Sequence, residues 1–358
     1  MNLYKTKTAH AETWSRPLIN FVLNCLTMAL LLLTILPNDA RAVDKYWTCG
    51  SDSWSNTSCW NPLGPLDDGD NIFLTQSDTS DRTVVYTPQG YDFLGTFINY
   101  GFNDLTVDAT GAGTMMLNIG YTPGFNSSDH ELFTNNQYIG LNGSGIVYHD
   151  YELNDTDNLY LGFNGGSNGS YTLTDAGYLN VGTAYLGYGG AGALSVLNGA
   201  DGTSTNMTLG ELAGSSGSLT VNGAGTTWNN SSNIFVGYSG NGTVNIENGG
   251  VLSSNTGFVG RFAGSDSSVT ISDAGSAWNI TSSLLVGHEG SGSLLIQNDG
   301  DVTSGAGIVG ANLGTGMANV DGTGSSWTVA GDMKVGDNGI GTLTVQNGGL
   351  VTNTTGYV

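Results

Sequence analysis

Val335-Gly336-Asp337-Asn338-Gly339-Ile340-Gly341-Thr342-Leu343-Thr344-Val345-Gln346-Asn347-Gly348-Gly349 restates Val286-Gly287-His288-Glu289-Gly290-Ser291-Gly292-Ser293-Leu294-Leu295-Ile296-Gln297-Asn298-Asp299-Gly300, position for position. A third copy runs from Val236-Gly237 through Val244 and Ile246 to Asn248-Gly249-Gly250, and Trp228, Trp278 and Trp327 keep step at spacings of fifty and forty-nine residues. Each unit also divides. Val259-Gly260 and Val309-Gly310 fall between the other Val-Gly pairs, so the shorter spacing alternates between twenty-three and twenty-six or twenty-seven residues. Periods in this range are the signature of a solenoid.

Within a copy, apolar and polar residues alternate. In Thr243-Val244-Asn245-Ile246-Glu247, Val244 and Ile246 face one side and the polar residues face the other, the period of a half-buried strand. Helix is disfavoured by the glycine load and by the Val, Ile and Thr content. Asn-Gly-Gly then supplies residues that tolerate positive φ where the chain turns. Three short strands and three turns fill one period, and stacking at ~4.8 Å brings Val236, Val259 and Val286 into one inner ladder. A β-propeller has a similar long period, but a blade has no reason to contain its own near-copy half a period away.

The reading is an all-β, single-stranded parallel β-helix. Its anchors extend back through Leu209-Gly210, Leu186-Gly187, Leu161-Gly162 and Ile139-Gly140 to Ile119-Gly120. Residues 119–185 form irregular rungs and 186–358 regular ones. Residues 43–118 hold Trp47, Trp54, Trp60 and no regular period, and read as an N-terminal cap with the first irregular rungs, because a solenoid needs its apolar end covered. The other end is left open, and a repeat broken at Val358 predicts a longer polypeptide.

The repeats resemble those in passenger regions of bacterial autotransporters (type V secretion) and in related exported proteins that end in a PEP-CTERM sorting tail. The matching residues are Leu285-Val286-Gly287, Gly290 to Leu294, Ile296, Asn298, Gly324-Ser325-Ser326-Trp327 and the stretch from Val335 to Gly349; the segment around Trp54 and Trp60 is similar to the start of such passengers. The resemblance covers residues 43–358 and speaks to architecture, not to activity. It implies a right-handed β-helix displayed at, or released from, the outer membrane of a Gram-negative bacterium. No barrel strands or sorting tail are seen, so a translocator or sorting region is expected beyond Val358.

Residues 1–42 read as a secretory signal. Lys5, Lys7 and Arg16 precede an apolar run from Leu18 to Leu36, and Ala40-Arg41-Ala42 offers a cleavage site after Ala42. Asn20 and Asn24 favour cleavage over a retained membrane anchor. The chain carries 30 acidic residues against 8 Lys and Arg, a net charge of −22, and only Lys45, Arg82, Arg261 and Lys334 are basic after the signal. This balance excludes nucleic acid and anionic lipid as partners and fits a solvated, self-repelling surface, hence a monomer that is not membrane-embedded. No calcium-loop spacing accompanies the acids. Cys25 leaves with the signal; in an exported chain Cys49 and Cys59 then read as a disulfide, whose short loop contributes about 2–3 kcal/mol.

Catalytic motifs are sparse. Gly165-Gly166-Ser167-Asn168-Gly169 matches G-x-S-x-G formally, without the strand-to-helix elbow that gives it meaning. Asp67-Asp68-Gly69-Asp70 and Asp299-Gly300-Asp301 sit at turns, where acids cap the backbone. His130, His149 and His288 have no zinc spacing. No cofactor is expected. Trp228, Trp278 and Trp327 read as fillers of wide corners in longer rungs, and Asn198, Asn248, Asn298 and Asn347 as a turn ladder with amides bonded rung to rung. The expected function is an exported stalk, spacer or adhesin that meets glycans or surface proteins, without catalysis. The alternative is a secreted carbohydrate-active β-helix with its site in rungs 119–185.

Overall fold

A computed structural model describes residues 42–86, 101–120 and 131–358. The signal segment, Cys25 and His130 lie outside the described residues. Among the described residues the chain is a parallel β-solenoid of about 12 turns. A representative coil consists of Ser216–Asn222 on a first face, Thr227–Asn230 on a second and Asn233–Val236 on a third. Each strand pairs in parallel with its counterpart one coil on, so Leu219, Val244, Val269, Leu294, Ala318 and Leu343 lie side by side on the first face.

These strands form where the sequence alternates. Val244 and Ile246 are fully buried, while Thr243 faces solvent. The inner ladder of Leu and Val is continuous through the solenoid, and each such side chain contributes ~1.5–3 kcal/mol on burial.

From Leu186 onward the coils themselves are even. On the first face Ser216 pairs with Asn241, and Asp266 with Ser291. The uneven Val-Gly spacing arises at the corners instead. In the coil that carries Trp228, corners 223–226 and 231–232 are long and corner 237–240 is short; in the next, 248–250 and 255 are short and 260–265 is long. Long corners thus lie against short ones, which relieves crowding at a rise of ~4.8 Å.

Trp228, Trp278 and Trp327 are fully buried on the second face between the longer corners. Since the rungs do not differ in length, the room for each indole is made differently from the expectation. Trp228 alternates in register with Gly202 and Leu252, then Trp278, Val302 and Trp327. Gly257, on the third face of the preceding coil, would place an added Cβ 2.6 Å from Trp278, and Gly307 would place one 3.0 Å from Trp327. The indole N–H groups of Trp228, Trp278 and Trp327 donate to Ser204, Ser254 and Ser304 at 3.0, 3.1 and 3.0 Å. Those serines recur in step with the tryptophans and satisfy the one polar atom each indole brings inside.

Asn198, Asn248, Asn298 and Asn347 all have positive φ, between 51° and 55°. They occupy alternate coils, too far apart to bond one another. Asn248 reaches Asn222 at 3.2 Å and Asn347 reaches Asp321 at 2.7 Å. Amides that do bond from coil to coil occur elsewhere: Asn135 donates to Asn103 and Asn103 to Asn71, each at 2.9 Å.

Parallel pairing already begins at Asp44–Trp47, which lies beside Asn71–Gln76, so the solenoid starts earlier than the periodic anchors. The cap is small. Trp60–Asn61 runs antiparallel to Tyr46 and Trp47 and covers an edge that would otherwise be open to pairing. Cys49 and Cys59 form a disulfide across it, with Cα atoms 5.1 Å apart. Trp54 and Trp60 are fully buried, with ring centroids 5.3 Å apart. At the other end Ile340 and Leu350 are exposed.

Gly257→Ala is expected to destabilise the fold by about 1–3 kcal/mol through overpacking, and the loss should shrink when Trp278→Leu is added. Urea unfolding of the single and double variants measures the coupling; additive effects would contradict the size alternation.

Candidate functional site: an aromatic ladder on the third face

Where strand Leu132–Ile139 ends, Ile139 points inward and is fully buried, and Tyr138 points outward and is half-buried. The same alternation places Leu161 and Leu186 inside, with Tyr160 and Tyr185 outside. Register sets Tyr138 beside Tyr160 and Tyr160 beside Tyr185. Their rings are parallel within 5° and 2°, with centroids 5.0 and 5.1 Å apart.

Each anchor glycine then turns the chain. Gly162 and Gly187 have φ of 65° and 72°, and a Cβ on Gly187 would lie 2.0 Å from the Ser216 carbonyl oxygen, so no other residue fits. The turn projects Phe163 and Tyr188, whose rings are 4.9 Å apart and parallel within 6°. These two stand almost perpendicular to the tyrosines, at 87° for Tyr160–Phe163 and 86° for Tyr185–Tyr188. Both rows step along one axis, and rings in van der Waals contact at this step tilt by roughly 45°. Two rows tilted in opposite senses make a herringbone of five rings over three coils.

Partial burial raises the phenol pKa of Tyr138, Tyr160 and Tyr185, and carboxylates add to it: Asp104 near Tyr138, Glu211 near Tyr185. None of these three hydroxyls is hydrogen-bonded to another described residue. Thr208 interrupts the outward row after Tyr185, and beyond it Phe235 and Phe258 stack at 5.1 Å. Arg261 lies over Phe258 and Phe262, at 5.0 and 4.5 Å from their centroids.

The residues singled out for chemistry are dispersed. Ser167 is buried, and its hydroxyl donates to the Asn164 carbonyl at 2.7 Å. Asp70 is buried and accepts from the backbone N–H of Val43 at 3.0 Å and of Asp67 at 2.9 Å, while Asp68 accepts from Gly101 at 2.9 Å. Asp301 accepts from the Ser326 hydroxyl at 2.6 Å. These acids tie backbone and neighbouring coils together. His288 is buried at a third-face corner, where Arg261 Nη1 donates to its Nδ1 at 2.6 Å and the Asn312 amide lies 2.9 Å from Nε2. Burial and then the guanidinium hold its pKa below the usual histidine value.

His149 enters a network inside the solenoid. Its Nδ1 is 2.8 Å from the Tyr171 hydroxyl and its Nε2 2.8 Å from the Glu152 carbonyl oxygen. Asn154 donates to the same hydroxyl at 2.8 Å, and Gln137 donates to Asn154 at 2.6 Å. His149, Asn154, Gln137 and Tyr171 are all fully buried. The Glu152 carbonyl can only accept, so Nε2 carries the proton and Nδ1 accepts from Tyr171. Desolvation lowers the His149 pKa to about 4. Among the described residues no group of three or more His, Cys, Asp or Glu side chains gathers to hold a metal ion. Comparison of the chain with protein-family models, curated proteins and solved structures found no match.

Because the unfolded imidazole titrates near 6.5 and the folded one near 4, the unfolded state binds the extra proton between those values. Stability is therefore full above about pH 6.5 and falls by roughly 3 kcal/mol as pH drops to 4. Urea unfolding across this range, compared with His149→Gln, isolates the step; equal pH dependence of both proteins would refute it.

Proposed function

We propose that the chain is an exported rigid spacer with adhesive capacity, an autotransporter-like passenger at a bacterial surface, and that it performs no catalysis. The observation that carries this reading is the parallel pairing of coil on coil, which among the described residues runs from Asp44 to Tyr357 with a register shift between Leu173 and Ala176. About 12 turns at ~4.8 Å each set a rod of ~55 Å, in which bending would break several ladders at once. The apolar signal-like run, the acidic composition and the disulfide all suit an exported protein. The acids and the serine of the catalytic motifs hold backbone and neighbouring coils, which is a mechanical use.

One observation favours the carbohydrate-active alternative. A groove of about 520 Å³ in the irregular coils is lined by Phe102, Asn103, Phe133, Asn135, Asp155 and Asp157. Asp155 lies on the second face and Asp157 at the corner that follows it, so two carboxylates, the pair a glycoside hydrolase uses, border the same groove. Asp155, however, accepts from Asn180 at 3.1 Å, as part of the bonding between coils.

Incubating the purified chain with neutral and acidic polysaccharides should release no new reducing or unsaturated ends, and antibody labelling of intact cells should find the chain outside. Released ends that disappear in Asp157→Asn would overturn the spacer reading in favour of the hydrolase.

A further inference from the structure

We propose that the herringbone of Tyr138, Tyr160, Tyr185, Phe163 and Tyr188 is a binding strip for a neutral, extended β-1,4-linked glycan lying parallel to the solenoid axis, one sugar per coil. This deepens the adhesive-spacer reading and rests on it.

Four features lead there. The first is placement. Outward positions on the first face carry mainly small polar residues such as Ser170, Ser218 and Thr220, with Ile146 and Tyr148 among the large exceptions, whereas three successive coils of the third face present five large aromatics, in contact with one another, that the core does not need. Stacking between them contributes about 0.5–1.5 kcal/mol per pair. That accounts for rings in contact, but not for three phenol groups that no described residue engages.

The second feature is spacing. Ring centroids advance by 5.0, 5.1 and 4.9 Å along the axis, nearly the step per sugar of an extended β-1,4-linked chain. Each pyranose can therefore set its C–H face over an aromatic edge and a hydroxyl beside a phenol, with no loss of register over three coils. A chain crossing the axis would meet one tyrosine and one ring of the second row, then the corner.

The third is rigidity. The rings are immobilised by their neighbours before any ligand arrives, and tyrosine brings only two side-chain torsions, so little ordering entropy remains to oppose association. The fourth is charge. Asp104 and Glu211 flank the strip on a chain of net charge −22, a field that repels uronates and sulfated polymers and leaves uncharged sugars unaffected.

Calorimetry on the exported chain with cellohexaose, against hexagalacturonate, tests the inference. The neutral hexamer should bind and the uronate should not, and affinity should rise from the disaccharide to about the trisaccharide. Tyr160→Ala should weaken binding tenfold or more. The triple variant Tyr138→Phe, Tyr160→Phe, Tyr185→Phe keeps the stack, so its unfolding midpoint should hold while affinity falls at least fivefold. No heat with the neutral hexamer at millimolar concentration, equal binding of the uronate, or unchanged affinity in the triple variant would overturn the inference. Loss of binding to a chain with a native spectrum counts against this strip alone; release of reducing ends counts against the non-catalytic reading and leaves the strip standing.

Discussion

Parallel stacking at one strand rise decides almost everything else in this molecule. When a side chain lies ~4.8 Å above its counterpart, neither can change size without the other giving way. The solenoid answers with alternation over two coils: tryptophan against leucine, valine or glycine on the second face, long corners against short ones at every edge. That is why the sequence repeats every fifty residues although the backbone repeats at about half that length. The indole of Trp278 occupies space left by Gly257, and its N–H is received by Ser254. Each of the three positions makes sense only with the other two.

The same constraint explains what was legible in the sequence and what was not. Val236, Val259 and Val286 announce an inner ladder, because inward positions must be apolar in every coil and recur without exception. The β-solenoid and its three strands per coil follow from such features, and the disulfide from the two cysteines left after the signal segment. The serine partners of the tryptophans recur equally regularly, but serine abounds here and its recurrence does not stand out. Tyr138, Tyr160 and Tyr185 directly precede the apolar-glycine anchors, and aromatic residues in a strand read simply as strand formers. Their convergence depends on exact register through coils of unequal length, which periodicity alone does not supply.

Polar devices divide by whether they repeat in each coil or in every second one. The asparagines at 198, 248, 298 and 347 are two coils apart, so left-handed turn geometry is all they share, and their amides reach different partners. Asn71, Asn103 and Asn135 stand in adjacent coils and form the continuous amide ladder, although their two equal spacings of 32 residues lie outside the repeat period. The buried network around His149 belongs to the same irregular region. A histidine, an asparagine, a glutamine and a tyrosine are costly inside a solenoid unless every polar atom is met, and here hydrogen bonds link all four side chains. Such a network fixes register where the hydrophobic pattern is weakest.

The molecule therefore has two regimes. From Leu186 onward the coils are uniform, and the alternation of large and small residues locks them into a regular stack with mostly small polar residues on the first face. Before it the coils vary in length, the interior carries a polar network, and the outside carries the aromatic herringbone. Regularity is the economical solution for length and stiffness, since the same local solution can be reused coil after coil. Departures from it need internal compensation, as the His149 network supplies. An irregular stretch held in register by so specific an interior is the part of the rod where outward side chains can be set by something other than stacking. That is where the exposed tyrosine hydroxyls are found.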